Sequence, residues 1–268
     1  METSTATPAS TEKDKAPAGA PLATAAPTSL ATPAAPKRGL EQAMDAEDII
    51  LPRVRLLQPT TPEVIQQSIP GAKMGALMNS LTKQILTPEF IPIVSFKNWA
   101  RFNPRKKEEP GFVDDKEPGA MIWISYDKND ERVQKEAAWG PNNEKPIATA
   151  FLNFLVLFPG NDKPAILSFS KTSYKAGKQF RSLVDLMEGD LFSNKYRLTI
   201  ENRTNDQGTF AVIKSVDPVG KATPEEFAAC EKLWAQFHNT ITRVRMDVVQ
   251  DEEVPAGTAT GKEEDIPF

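Results

Sequence analysis

"PAILSFSKTSYKAGKQFRSLVDLMEG" (residues 164–189) changes its hydrophobic period halfway along. Its first part, "PAILSFS" (164–170), is a short β-rich run bounded by turn residues. In "AGKQFRSLVDLMEG" (176–189), Phe180, Leu183, Val184 and Met187 fall instead at helical spacing. A strand therefore hands over to a helix. Downstream, "KYRLTIEN" (195–202) and "TFAVIKSVDP" (209–218) flank "RTNDQG" (203–208), where Gly208 closes a hairpin turn. Upstream lie "FIPIVSFKNWARF" (90–102), "AMIWISYD" (120–127) and "ATAFLNFLVLF" (148–158). Before them, "DIILPRVRLL" (48–57) alternates Arg53, Val54, Arg55 and Leu56 after the break at Pro52, as a half-buried strand would. Thr223-Pro224-Glu225-Glu226 is a capping box with proline at the first helical position. Phe227, Cys230, Trp234 and Phe237 make the apolar stripe of the helix it opens, and the expected role of Cys230 and Trp234 is core packing.

That order predicts a mainly β, α+β chain. The expected architecture is an oligonucleotide-binding-fold-like (OB-fold) antiparallel barrel of about five strands, with one internal helix between the third and fourth and a C-terminal helix. A sandwich or another α+β arrangement shares the same pattern.

Composition divides the 268 residues into a body and two arms. Residues 1–38 are Ala, Thr, Pro and Ser with no aromatic side chain, too little apolar surface to offset chain ordering, and are expected to be a disordered arm. They have no central apolar block of a secretory signal. Residues 247–268 form a second expected disordered arm: linker-like Val254-Pro255-Ala256-Gly257-Thr258, then an acidic tip. From Asp247 onward seven acids face one lysine, while the net charge of the whole chain is only −4, so the body at 39–246 is not acidic. With one cysteine and one histidine there is no intrachain disulfide and no Cys/His zinc site, which suits a reducing cytosol. No catalytic group, metal or cofactor is expected, since there is no Walker loop, no GxGxxG and no kinase signature. No apolar run reaches membrane-spanning length.

Two stretches carry the expected chemistry. "SFKNWARFNPRKK" (95–107) holds Lys97, Arg101, Arg105, Lys106 and Lys107 without an acid, interleaved with Phe96, Trp99 and Phe102. In a strand Lys97, Trp99 and Arg101 share one face and Phe96 and Phe102 take the other, so a ring flanked by cations could stack a base between two phosphates. "SKTSYKAGKQFRS" (170–182) sets Lys171, Lys175, Lys178 and Arg181 around Tyr174, leading from a strand into a helix. Lys195 and Arg197, either side of Tyr196, repeat the alternation. Separate basic-aromatic sites are expected to form a groove that tracks a single strand. The bland alternative is that Trp99 is core and the bases solvate an edge.

The terminal "EEDIPF" (263–268) resembles the C-terminal tip of bacterial single-stranded-DNA-binding proteins (SSB), where a disordered acidic arm ends in a similar Asp-x-Pro-Phe. That resemblance implies that Phe268 and its carboxylate, with Glu263, Glu264, Asp265, Ile266 and Pro267, dock into basic-rimmed apolar pockets on replication and repair proteins. The body differs from bacterial SSB, whose shorter chain starts its barrel near the N-terminus. "LPRVRLLQPTTPEV" (51–64) and "LSFSKTSYKAGKQFRSL" (167–183) look more like a phage-encoded protein group.

The expected function is sequence-nonspecific single-stranded DNA binding in phage DNA replication, recombination or repair, in the bacterial host cytoplasm, with partners recruited through the acidic tail. Self-association is left open. Rival readings are a strand-annealing or recombination mediator, a virion or scaffold protein without a nucleic-acid role, and a metal-dependent nuclease using Asp185, Glu188, Asp190 or Glu201. For those four acids a solvated helix end is the simpler reading.

Overall fold

The longest apolar-aromatic run forms the strand around which the main sheet is organised. In the computed structural model, which describes residues 50–141, 144–206, 208–242 and 245–246, this strand is β5 (Glu89–Phe102). The arms expected at 1–38 and 247–268 lie outside the described residues. Ahead of β5 come β1 (Ile50–Leu51), β2 (Val54–Leu56), the single-turn α1 (Pro62–Ile65), β3 (Leu77–Asn79) and β4 (Ile85–Leu86). After it come β6 (Met121–Ser125), α2 (Glu131–Glu136), β7 (Thr149–Leu157), β8 (Ala165–Phe169) and α3 (Tyr174–Leu186). The hairpin β9 (Asn194–Asn205) and β10 (Gly208–Lys221), then α4 (Pro224–Phe237) and β11 (Arg245–Met246), complete the order.

The chain is mainly β, and among the described residues its sheet pairs are antiparallel except β1 with β11. The main sheet runs β10-β9-β5-β7-β8, with β6 also on β5. β5 is long enough to serve several neighbours: Glu89 and Phe90 pair β9, Ile91 to Ala100 pair β7, and Trp99 to Phe102 pair β6. Pro92 has no N–H to give the ladder, and the register with β7 shifts between Pro92 and Val94. β2, β3 and β4 form a separate three-stranded meander.

The helical reading of 176–189 is borne out, with α3 starting two residues earlier, at Tyr174. Phe180 is its plug: its ring centre lies 4.7 Å from that of Phe154, 4.9 Å from Tyr196 and 5.7 Å from Phe90. This cluster is the main core, closed on another side by Val54, Leu77 and Leu86. α4 covers a second cluster, in which Cys230 and Phe237 pack with Ile91, Ile93, Leu155 and Ile166. β7 is therefore buried without a break from Asn153 to Leu157, where residues of both parities face a core. The capping box of α4 forms as expected, Thr223 Oγ1 accepting from Glu226 N–H and Glu226 Oε2 accepting from Thr223 N–H at 2.8 Å.

One expectation is met only in its coarser form, and two need correction. The ladder of the main sheet is not closed into a barrel among the described residues. Two links among the described residues cross from its edges to the meander side. Arg53 bridges Ile166 of β8 in parallel, with Ile166 N–H donating to the Pro52 carbonyl at 2.8 Å. The carboxamide of Gln58 accepts from Ala211 N–H of β10 at 2.9 Å and donates to its carbonyl at 3.0 Å. Second, the alternation expected at 53–56 fails because Arg53 and Val54 are both buried where the chain bends between sheets. Third, Trp234 is not core: it is 42% exposed at the edge of the α4 stripe, whose buried members are Cys230 and Phe237, and it stacks on His238 at 4.3 Å between ring centres.

Candidate nucleic-acid interface

Strand parity sets out the first half of the site. Trp99 pairs Ser125 and Arg101 pairs Trp123, so Lys97, Trp99, Arg101 and Trp123 share one face of β5–β6. This is also the face on which α3 packs, since Lys97 pairs Leu152 and Ser95 pairs Phe154, the contact of Phe180. Helix and strand are drawn close by a glycine. A Cβ at Gly177 would lie 2.5 Å from Cβ of Phe169, so only glycine lets α3 approach to this depth. Arg181 ties the helix to the strand by donating to Ser95 Oγ.

The two basic-aromatic stretches, 95–107 and 170–182, therefore meet. The Lys97 ammonium lies 4.7 Å from the ring centre of Trp99 and 5.9 Å from that of Tyr174. Lys178 lies 5.8 Å from Tyr174 on its own helix. Farther along the same face the Arg132 guanidinium stands 5.3 Å from the Trp123 ring. Trp99 and Trp123 are each 8% exposed and pack with Val133 and Ala148, whereas Tyr174 is half-buried and Lys97 and Lys178 are exposed. Trp99 is thus a packed residue with a cation on one face rather than an open platform.

Carboxylates sort the expected cations into two groups. Arg101 is held by Glu136 at 2.9 Å and by the Gly111 carbonyl at 2.9 Å; Trp123 Nε1–H donates to the other oxygen of Glu136 at 3.0 Å. Arg181 pairs Asp185 at 2.9 Å, Lys195 pairs Glu226 at 3.2 Å and Arg197 pairs Glu89. These four serve the fold or neutralise neighbours. Among the described residues Lys97, Arg105, Lys106, Lys107, Lys171, Lys175 and Lys178 have no carboxylate partner. An unpaired cation can exchange its counterion for a phosphate without first breaking an ion pair.

Position separates those seven further. Lys171, Lys175 and Lys178 gather at the start of α3, whose first turn has no acid and no side-chain cap, so the positive end of the helix adds to theirs. Lys171 opens a short 3₁₀ turn (Lys171–Ser173) in the left-handed region, φ 44°, a backbone that non-glycine residues rarely adopt. Arg105, Lys106 and Lys107 instead sit exposed on the excursion between β5 and β6. Asn103, fully buried, pins that excursion by donating to the Val113 and Lys116 carbonyls at 3.0 and 2.7 Å and accepting from Val113 N–H at 2.8 Å. Acids follow directly at Glu108, Glu109, Asp114, Asp115 and Glu117, so this basic triplet stands in a mixed field.

Sequence reasoning named Lys97, Trp99, Tyr174 and Lys178 but not the contacts that assemble them. Ser95, Gly177 and the Glu136 anchor were missed. A glycine inside a helical period was the one legible signal, since it weakens a helix unless something packs close. The rival acids are dispersed: Asp185 pairs Arg181, and Glu201 pairs Arg203 at 2.7 Å and Lys214 at 3.3 Å. Among the described residues no group of three or more His, Cys, Asp or Glu is placed to hold a metal ion, and no helix is long and apolar enough to cross a membrane. Glu263, Glu264, Asp265, Ile266, Pro267 and Phe268 lie outside the described residues.

No curated protein and no solved structure matches the chain. One family, described as Pam3 phage gp34-like protein, matches residues 18–242, from within the N-terminal arm to just past α4 and well over half of the chain. The chain belongs to the Pam3 phage gp34-like protein family.

Proposed function

We propose that this protein binds single-stranded DNA without sequence preference, in phage DNA replication, recombination or repair in the host cytoplasm. The observation that carries the reading is the meeting of β5 and α3: cations without carboxylate partners stand over two rings drawn from distant parts of the chain. Cations hold a flexible phosphate backbone, and rings accept any base because every base has a π-face. The fold supports it as well. With β6 set aside, since it pairs only the far end of β5, the sheet strands β5, β7, β8, β9 and β10 have α3 between the third and fourth and lie in the order β8-β7-β5-β9-β10, the outer two unpaired with each other among the described residues. An OB-fold is a partly open five-stranded barrel, and this strand order is the support for proposing one here.

A mobility shift with single- and double-stranded oligonucleotides at two salt concentrations tests the reading. Single strands should be bound well above duplex, with a steep loss of affinity at higher salt. Equal affinity for the two forms at matched salt would remove it.

The acidic segment ending in Phe268 is proposed to recruit replication and repair proteins, its aromatic side chain as anchor and Glu263, Glu264 and Asp265 as steering charges. Deleting 263–268 should abolish capture of host enzymes that recognise the bacterial SSB tip, while affinity for single strands stays level or rises at low salt. Undiminished capture by the truncated protein would show the tip to be idle.

A further inference from the structure

The Lys97 ammonium lies within 6 Å of the centres of two rings that belong to different elements, Trp99 on β5 and Tyr174 at the start of α3. We infer that the gap between Trp99 and Tyr174 receives one unpaired base, and that Lys97 fills this gap only while it is empty, turning to the adjacent phosphate when the base enters. The inference rests on the single-strand reading above and specifies how that site works.

The distances permit the exchange. The ring centres are no farther apart than the 4.7 Å and 5.9 Å from Lys97 Nζ laid end to end. A base at carbon contact on both sides needs roughly 3.5–4 Å to each ring, which that limit accommodates. Lys97 is exposed and has no carboxylate partner among the described residues, so its side chain is free to swing. An exposed cation–ring contact is weaker than a base–ring stack, and the displaced ammonium gains a phosphate. The walls, by contrast, are held. Trp99 is packed against Trp123 and Val133, while α3 is set in depth by Gly177 against Phe169 and tied to β5 by Arg181 on Ser95.

The test uses the full chain and two strands of equal length, an oligothymidylate and a strand abasic at every position. For the wild type the abasic strand should bind about 5- to 100-fold more weakly. Lys97→Ala should lower the slope of log affinity against log salt by about 0.7, the share of one phosphate on a single strand, while keeping the preference for intact bases. Tyr174→Ala should lose most of that preference and Tyr174→Phe should keep it; Tyr174 is half-buried at the helix start, so these variants avoid removing a core ring. Equal binding of intact and abasic strands would overturn the base slot while leaving single-strand binding standing. An unchanged salt slope in Lys97→Ala would overturn the movement of Lys97. No binding to either strand would sink the functional reading itself.

Discussion

At the scale of single residues, burial reassigns chemistry that residue type alone suggests. Trp99 reads as a stacking ring, yet it is 8% exposed in the cluster with Trp123, Val133 and Ala148. Trp99→Ala should therefore cost about 3–5 kcal/mol of stability, as large-to-small changes in a core do, and thermal unfolding should show the loss before any DNA assay is interpreted. Cys230 is a second case. Burial pushes its thiol up to about 12, with the charge of Glu226 adding to the effect. At pH 8 a disulfide reagent should find no reactive thiol in the native chain and one after denaturation; rapid native labelling would show that α4 opens readily.

At the scale of elements, α3 depends on a conflict won by packing. Alanine is the better helix former at position 177 by about 1 kcal/mol, but its Cβ would lie 2.5 Å from Cβ of Phe169. Overpacking costs of about 1–3 kcal/mol should prevail, so Gly177→Ala should lower the melting temperature. The α4 cap carries a pH signature. Burial alone would raise the Glu226 carboxyl, but hydrogen bonds from Thr223 and Lys195 and the lysine charge outweigh it and hold it below its ordinary value of 4.5. A depressed folded value contributes stability that is present above the ordinary pKa and is lost as pH falls through the folded one. Glu226→Gln should therefore be less stable than wild type at neutral pH, and the difference should shrink as pH falls from the ordinary value of 4.5 through the lower folded one. Parallel stability curves down to pH 3 would contradict this.

At the scale of the whole molecule, one side chain joins the meander to the outer edge of the main sheet. Gln58 is 7% exposed and pairs both backbone groups of Ala211, as a neighbouring strand would. Gln58→Ala leaves a buried N–H and a buried carbonyl without that partner and should cost about 1–3 kcal/mol. Hydrogen exchange should quicken at Ala211 and its neighbours on β10 more than on β7, which keeps partners on both edges. Uniform quickening across the sheet would mean that Gln58 supports the fold at large rather than this seam.

The sequence by itself determined the longer elements and their order, because those are set by local period and turn chemistry, whereas the short α1, α2, β3, β4 and β11 carry too little period to be read. Phe180, Leu183, Val184 and Met187 at helical spacing placed α3, Gly208 placed the hairpin turn, and Thr223 with Glu226 placed the start of α4. It also picked out Lys97 and Tyr174, since cations interleaved with rings are visible in one dimension. Only the tertiary structure decided which cations are engaged. Glu136 reaches Arg101 from 35 residues away and Glu89 reaches Arg197 from 108, and no local pattern reports such a partner. It likewise decided that Trp99 faces a core while Trp234 faces water, although both sit in apolar periods. Period places a side chain on a face of its element; what packs on that face depends on how distant elements cross, and here Gly177 lets α3 cross close enough to bring Tyr174 to Lys97.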